Sequence, residues 1–223
     1  MIRFQSFRRK QLITEDGPMG AVYDMYFDDV SWRIRYVVVD TRRWLPGRKV
    51  LLPPGVIRGD RSWGEGIPVE LSRDDVKGAP GVDTELPVSK RNEAVLLSHY
   101  QWALRFTHAV VPAFTASVPV RPIELLDAGE PTEPQLRSAR EILGYRVLGP
   151  EGSLGEVEDL RFDKSTFSIR SIEVDTKTPL DLPVVPVSPR HVRGIRWKDR
   201  AVLVDLDFGN LAGLSGGSQA FPA

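Results

Sequence analysis

Apolar and polar residues alternate most clearly between Trp32 and Asp40. There WRIRYVVVD puts Ile34, Tyr36 and Val38 on one face and Arg33, Arg35, Val37 and Val39 on the other. The run is filled with β-branched and aromatic residues and reads as the strongest strand of the chain. One apolar face and one mixed face suit the wall of a small barrel whose outside is partly covered. Ahead of it, Met19 to Phe27 is dominated by Val22, Met25, Tyr26 and Phe27. Between the two, Asp28-Asp29-Val30-Ser31 reads as a hairpin turn, because aspartate and serine bond their own backbone. Downstream, Lys49 to Leu52 stops at Pro53-Pro54, which confines that strand end to an edge or exit. A last short strand is expected over Ile67 to Leu71.

The same pattern returns 135 positions later, so that Asp16 to Leu71 lies over Glu151 to Leu206 without a gap. Over the densest 26 positions, from Asp16 and from Glu151, eleven residues are identical. Among them are Gly20, Asp24, Asp28, Arg35 and Asp40, matched by Gly155, Asp159, Asp163, Arg170 and Asp175. Self-similarity at one fixed spacing means two copies of one folded unit. Each copy opens on a turn glycine, Gly17 or Gly152. In the second copy Val184 to Val187 and Ala201 to Leu206 take the places of the later strands. Five or six short strands in about sixty residues, with turn signals between, argue for a small bent sheet or barrel. A residue present in both copies serves the fold before it serves any single site.

The copies differ in their accessories. The first carries Arg42-Arg43-Trp44-Leu45-Pro46-Gly47-Arg48 where the second has Lys177 to Pro183. Ser72-Arg73-Asp74-Asp75 looks like a capping box that opens a short helix. Ser89 to Phe106 holds Ala94, Leu97 and Tyr100 at near-helical spacing. From Thr115 to Gln135 prolines mark a linker, and from Gly209 the chain is small and polar. The expected organisation is a first barrel with a helical extension over 1–114, a linker over 115–135, a second barrel over 136–208 and a tail over 209–223.

Composition narrows the function classes. The 223 residues are 41% hydrophobic and 27% charged, ordinary for a globular protein. Thirty basic residues balance thirty acidic ones, so no general nucleic-acid binder is expected. The absence of cysteine removes thiolate metal sites, disulfides and cysteine nucleophiles. No apolar run approaches the roughly 20 residues of a transmembrane helix, and MIRFQSFRRKQL lacks a signal-peptide core. The reading is a soluble, cytoplasmic protein with no cofactor.

The run from Gly20 to Thr41, G-x-V-x-D-x-x-F-D-D-x-x-W-x-I-R-Y-x-V-V-D-T, followed by W-L-P-G-R-K-V-L-L-P-P, resembles the PRC-barrel. The second copy's opening, L-R-S-A-R-E-I-L-G-Y-R-V-L-G-P-E-G-S-L-G-E-V-E-D, is similar to the same domain. The resemblance covers roughly 7–106 and 136–206. It implies a mainly β fold: two small PRC-type β-barrels related by internal duplication, with short helices after the first. That family includes the cytoplasmic part of the photosynthetic reaction-centre H subunit, where the domain carries no redox cofactor and supports proton delivery to the quinone site. A related barrel in the bacterial ribosome maturation factor serves protein contact. This chain lacks the H subunit's transmembrane helix and has two barrel copies where the subunit has one.

Candidate chemistry is thin. Asp24, Asp28, Asp29 and Asp40 form an acidic set, but three of them recur in the second copy. They are read as turn formers paired with Arg35 or Arg170. Gly213-Leu214-Ser215-Gly216-Gly217 fits a nucleophile elbow but has no later histidine or acid to serve it. His99, His108 and His191 are too scattered for a zinc site. Aromatic residues are the better lead: Trp32, Trp44 and Trp63, with Tyr100 and Trp102. Arg42, Arg43, Trp44, Arg48, Tyr100 and Trp102 are the candidate interaction residues, since tryptophan and arginine are enriched at interface hot spots. The expected function is a non-enzymatic interaction or assembly module with an unassigned protein partner, able to self-associate. Three alternatives stand beside it: an accessory of photosynthetic electron transport, a ribosome-associated or RNA-processing factor, and an enzyme using Asp and Arg residues at the cleft between the barrels.

Overall fold

The structure is a computed structural model and describes residues 1–41, 49–58, 63–64, 66–78, 136–176 and 184–210. Arg42, Arg43, Trp44, Arg48, Tyr100 and Trp102 lie outside the described residues, as do His99, His108, the Ser89 to Phe106 segment, the 115–135 linker and the Ser215 motif.

The chain is mainly β. In the first half β1 (Ile2–Arg3) leads into α1 (Phe4–Phe7), then β2 (Gln11–Thr14), β3 (Gly17–Asp28), β4 (Ile34–Asp40), β5 (Lys49–Leu52), β6 (Gly66–Pro68) and α2 (Arg73–Gly78). The second half repeats the order. It runs β7 (Leu136–Ser138), α3 (Ala139–Ile142), β8 (Arg146–Gly149), β9 (Gly152–Asp163), β10 (Ser168–Asp175), β11 (Val185–Val187), β12 (Val192–Arg196) and β13 (Ala201–Val204). The turn expected at Asp28 is present: its Oδ1 accepts from Val30 N, Ser31 N and Ser31 Oγ at 3.0, 2.7 and 2.9 Å. The capping box at Ser72 is also present, with Asp75 Oδ2 accepting from Ser72 N at 2.8 Å.

The strands form two sheets ordered β5-β4-β3-β2-β6 and β11-β10-β9-β8-β13-β12. Neither closes into a barrel, which corrects the expectation of two closed barrels. In the first sheet the chain after β5 meets the chain after β6 through one bridge, Ile57 to Val69, not through a ladder. Pro54 and Pro68 lie at that junction and have no N–H to donate, which limits any ladder there.

Each sheet takes one further strand from the other half. β7 pairs with β3, and β1 pairs with β9. The long strands make this possible. β3 and β9 are twelve residues each, with β2 or β8 along their first part and the crossing strand along their last. The apolar residues of both halves then merge into one core. Phe7 packs edge-on against Phe162 at 5.2 Å and stacks on Trp63 at 5.3 Å.

The two hairpin tips also meet. Ile34 N donates to the Phe167 carbonyl and Ile169 N to the Trp32 carbonyl, both at 2.8 Å. Between them Arg33 bridges Ser168, a residue 135 positions away. The pseudo-twofold relation of the halves passes through that pair. Trp32 and Phe167 adopt left-handed backbone, φ 56° and 50°, a conformation disfavoured for aromatic residues. Burial of both rings offsets that cost, with Trp32 stacked on Phe27 at 5.3 Å.

The shared glycines now have a reason. A Cβ on Gly20 would run into the Asp40 carbonyl, and one on Gly155 into the Asp175 carbonyl, with φ +145° at Gly155 as well. Gly144, at φ +76°, has open space around it, and Arg9 occupies the matching place in the first half at φ 72°. Gly144→Ala is therefore expected to cost about 1 kcal/mol. Gly155→Ala, which adds backbone overlap to strain, is expected to cost about 3 kcal/mol. Urea unfolding midpoints of the two variants test the ranking, and equal midpoints would refute it.

Candidate functional site: the two arm junctions

The shared aspartates Asp24 and Asp159 do not sit at turns. They lie inside β3 and β9, each beside a register shift. The expectation that they form turns therefore gives way to another role: each receives the arm that crosses from the other half. Asp24 Oδ1 accepts from Met25 N at 2.7 Å and from Arg140 N in α3 at 2.9 Å. Its Oδ2 accepts from Ser138 Oγ at 2.6 Å. Asp159 Oδ1 accepts from Leu160 N at 2.8 Å and from Gln5 N in α1 at 3.1 Å. Its Oδ2 accepts from Arg3 Nε at 3.0 Å. Residues 135 positions apart thus make the same bonds. A four-residue helix leaves every N–H at its start without an internal partner, and these carboxylates supply one from outside the helix. Ser138 adds its own cap, accepting from Glu141 N at 3.0 Å.

What surrounds the two caps differs. Around Asp159 the junction is ionic. Arg3 also reaches Glu158 Oε1 at 3.1 Å, and its Nε lies 2.8 Å from the buried Glu173 Oε2 without hydrogen-bond alignment. Arg161 closes on the other oxygen of Glu173. Around Asp24 the junction is aromatic. Val38 and Tyr26 stand where the second half has Glu173 and Arg161, and Tyr23 stands in the place of Glu158. Tyr23 is held between two cations, Lys49 Nζ 3.8 Å above its ring and the Arg140 guanidinium 4.7 Å from it. Arg137 joins Asp29 at 2.8 Å.

Burial sets the electrostatics. It raises Asp24 and Asp159 above the ordinary aspartate range, against the pull of the hydrogen bonds each accepts. It pushes the Tyr26 phenol up to about 12, and raises Glu141 and Tyr145, which face each other at 3.3 Å. Asp163 goes the other way, down to about 2, chiefly because Ser165 donates its hydroxyl to it.

Every shared aspartate thus has a place in the frame. Asp28 and Asp163 hold turns, Asp24 and Asp159 hold arms, and Asp40 and Asp175 stand opposite Ala21 and Glu156 at the ends of β4 and β10. Arg35 is within β4 and Arg170 within β10. Among the described residues no three His, Asp or Glu side chains gather to hold a metal ion, and no helix is long and apolar enough to cross a membrane. Asp40 and Lys49, which flank the segment with Trp44 in the sequence, are register partners, and Lys49 covers Tyr23 at the aromatic junction. Of the aromatic lead, Trp32 and Trp63 are buried in the core. Trp197, which the sequence did not single out, is 52% exposed. The capping motif Ser138-x-x-Glu141 was the missed signal for α3. No family model and no curated protein matches the chain.

The caps generate a contrast. Asn at position 24 keeps one acceptor for Met25 and Arg140 and turns its NH2 toward Ser138 Oγ, which can accept. Asp24→Asn is expected to change stability by less than about 1 kcal/mol near neutral pH, and Asp24→Ala to cost about 2 kcal/mol. At position 159 the NH2 would face the Arg3 donor, so Asp159→Asn is expected to cost about 2 kcal/mol as well. Chemical denaturation of the three variants checks this order.

A pH series adds the sign. The Asp24 carboxyl holds its proton more tightly folded than unfolded, so its contribution is complete below the ordinary value of 3.8 and is lost as pH rises through the raised folded value. Asp24→Asn should therefore gain on the wild type as pH rises from 3.8. Asp163 is opposite: its contribution is present above 3.8 and disappears as pH falls toward about 2. A wild-type advantage that grew with pH at position 24 would contradict the assignment.

Proposed function

We propose that the chain is a tandem protein of PRC-barrel type, two copies of one unit related by internal duplication with both sheets left open, acting as a non-enzymatic interaction or assembly module. The observation that supports it is the division between what the halves share and what they do not. Asp24, Asp159 and the hairpin tips are occupied in joining the halves, and the other shared aspartates and glycines serve the turns and strands of their own half. Acids committed to buried backbone donors are poorly placed for proton transfer to a substrate, since the chemistry needs a carboxylate within reach of the reacting group. Among the unshared residues, Trp197 is exposed, and Arg42, Arg43, Trp44 and Arg48 are the arginine and tryptophan types that the first half alone carries between Thr41 and Lys49. Such residue types suit protein contact.

The test is affinity capture from the source cell with the whole chain as bait, cross-linked before lysis, and Trp44→Ala as the paired variant. Wild type is expected to retain a discrete protein that the variant loses. Equal recovery would remove the Trp44 loop from the reading, and no recovery above a non-binding control would remove the interaction module itself.

A further inference from the structure

The residues from Arg190 to Arg200 run along β12 and round the turn into β13. They carry Arg190, Arg193, Arg196, Lys198 and Arg200 against Asp199 alone. The segment 135 positions earlier has Arg58 and Arg61 against Asp60 and Glu65. The charge is therefore not something the fold requires. One pair is common to both halves, Arg58 with Glu70 and Arg193 with Asp205. Arg61 lies opposite Arg196, while Arg190, Lys198 and Arg200 stand where the first half has Gly55, Trp63 and Glu65.

β12 is the last strand of its sheet, and among the described residues no strand pairs with its outer edge. A terminal strand presents unpaired N–H and C=O groups along that edge. The side chains of Arg193 and Arg196 are 68% and 63% exposed. Trp197 opens the turn, and its carbonyl accepts from Arg200 N at 3.0 Å. Arg200 holds a left-handed φ of 48°, and its guanidinium lies 5.3 Å from the centre of the Tyr145 ring. Charge alone is enough to guard an edge against aggregation, and it does not need an indole held out to solvent. In the first half the neighbouring tryptophan, Trp63, is turned inward onto Phe7.

We propose that β12 and the Trp197 turn form a docking edge for an acidic, extended segment of a partner protein. The segment adds as a strand to β12, sets its carboxylates against Arg193, Arg196 and Lys198, and lays an apolar side chain on Trp197. The inference rests on the interaction-module reading and names its surface. Backbone pairing favours a peptide over a nucleic acid or a membrane, because neither of those offers a complementary ladder of N–H and C=O groups. The balanced charge of the whole chain points the same way.

The test is an NMR titration of the isotope-labelled whole chain at low salt. The probes are a short peptide alternating glutamate and valine, its lysine-valine counterpart, vesicles containing phosphatidylserine, and a single-stranded oligonucleotide. The acidic peptide is expected to shift the β12 amides and the Trp197 indole and to slow exchange of the β12 amides. Arg196→Glu with Lys198→Glu is expected to weaken it about tenfold, with thermal unfolding unchanged because both side chains are exposed. No shift at β12 with millimolar acidic peptide would overturn the proposal, as would equal binding of the lysine peptide. A tighter response to vesicles or oligonucleotide would also overturn it. If the charge-reversed chain still captures Trp44-dependent partners from the cell, this edge fails while the interaction module stands.

Discussion

A carboxylate desolvated in the middle of a strand must find donors, and the rest of this structure depends on where Asp24 and Asp159 find theirs. Each takes one donor from its own half, Met25 N or Leu160 N, and the rest from the other. Each caps the helix start of an arm that has crossed from the other half. That constraint fixes the arm, the arm completes the last part of a twelve-residue strand, and the strand then needs no other neighbour there. One continuous core follows, because α1 carries Phe7 onto Phe162 and α3 carries Ile142 into the same cluster. Burying a charge is costly unless it is bonded, so the donors that each aspartate receives from the other half bear on where the arms lie.

Symmetry and asymmetry divide the molecule's tasks. Around the Arg33 to Ser168 bridge, the two tips exchange equivalent hydrogen bonds, and the strained backbone of Trp32 and Phe167 is held by ring packing on both sides. Away from that axis the halves diverge in chemistry. One arm junction is a network of Arg3, Arg161, Glu158, Asp159 and Glu173, and the other is Tyr23 between Lys49 and Arg140. The ionic junction ties its partners by direction and charge, with Asp159 accepting from the Arg3 guanidinium, which cannot accept in return. The aromatic one meets Asp24 with the Ser138 hydroxyl, which can both donate and accept. Equivalent places in one fold thus differ in the donors that surround them.

Much of this was legible before any coordinates. The Asp28 turn, the Trp32 to Asp40 strand, the Ser72 cap and the spacing of 135 all rest on local rules of backbone chemistry and periodicity, and each has its counterpart in the structure. The candidate interaction residues lie outside the described residues. Trp32 and Trp63 looked like surplus aromatics because the core of one unit was counted alone. The merged core of both halves takes them in.

By itself, the order of residues determined the strands, the turns and the repeat, because alternation, β-branching and Asx turns act over a few neighbouring positions. Only the tertiary structure decided that the sheets stay open, that the arms cross, and that Asp24 and Asp159 are caps instead of turn residues. Those outcomes depend on groups more than a hundred positions apart meeting in space, as Asp24 meets Arg140 and Asp159 meets Gln5. No window of local sequence contains both partners. A strand of two or three residues such as β1 or β7 is too short to leave a period, so its partner is set by the donors and acceptors that remain when everything else has paired.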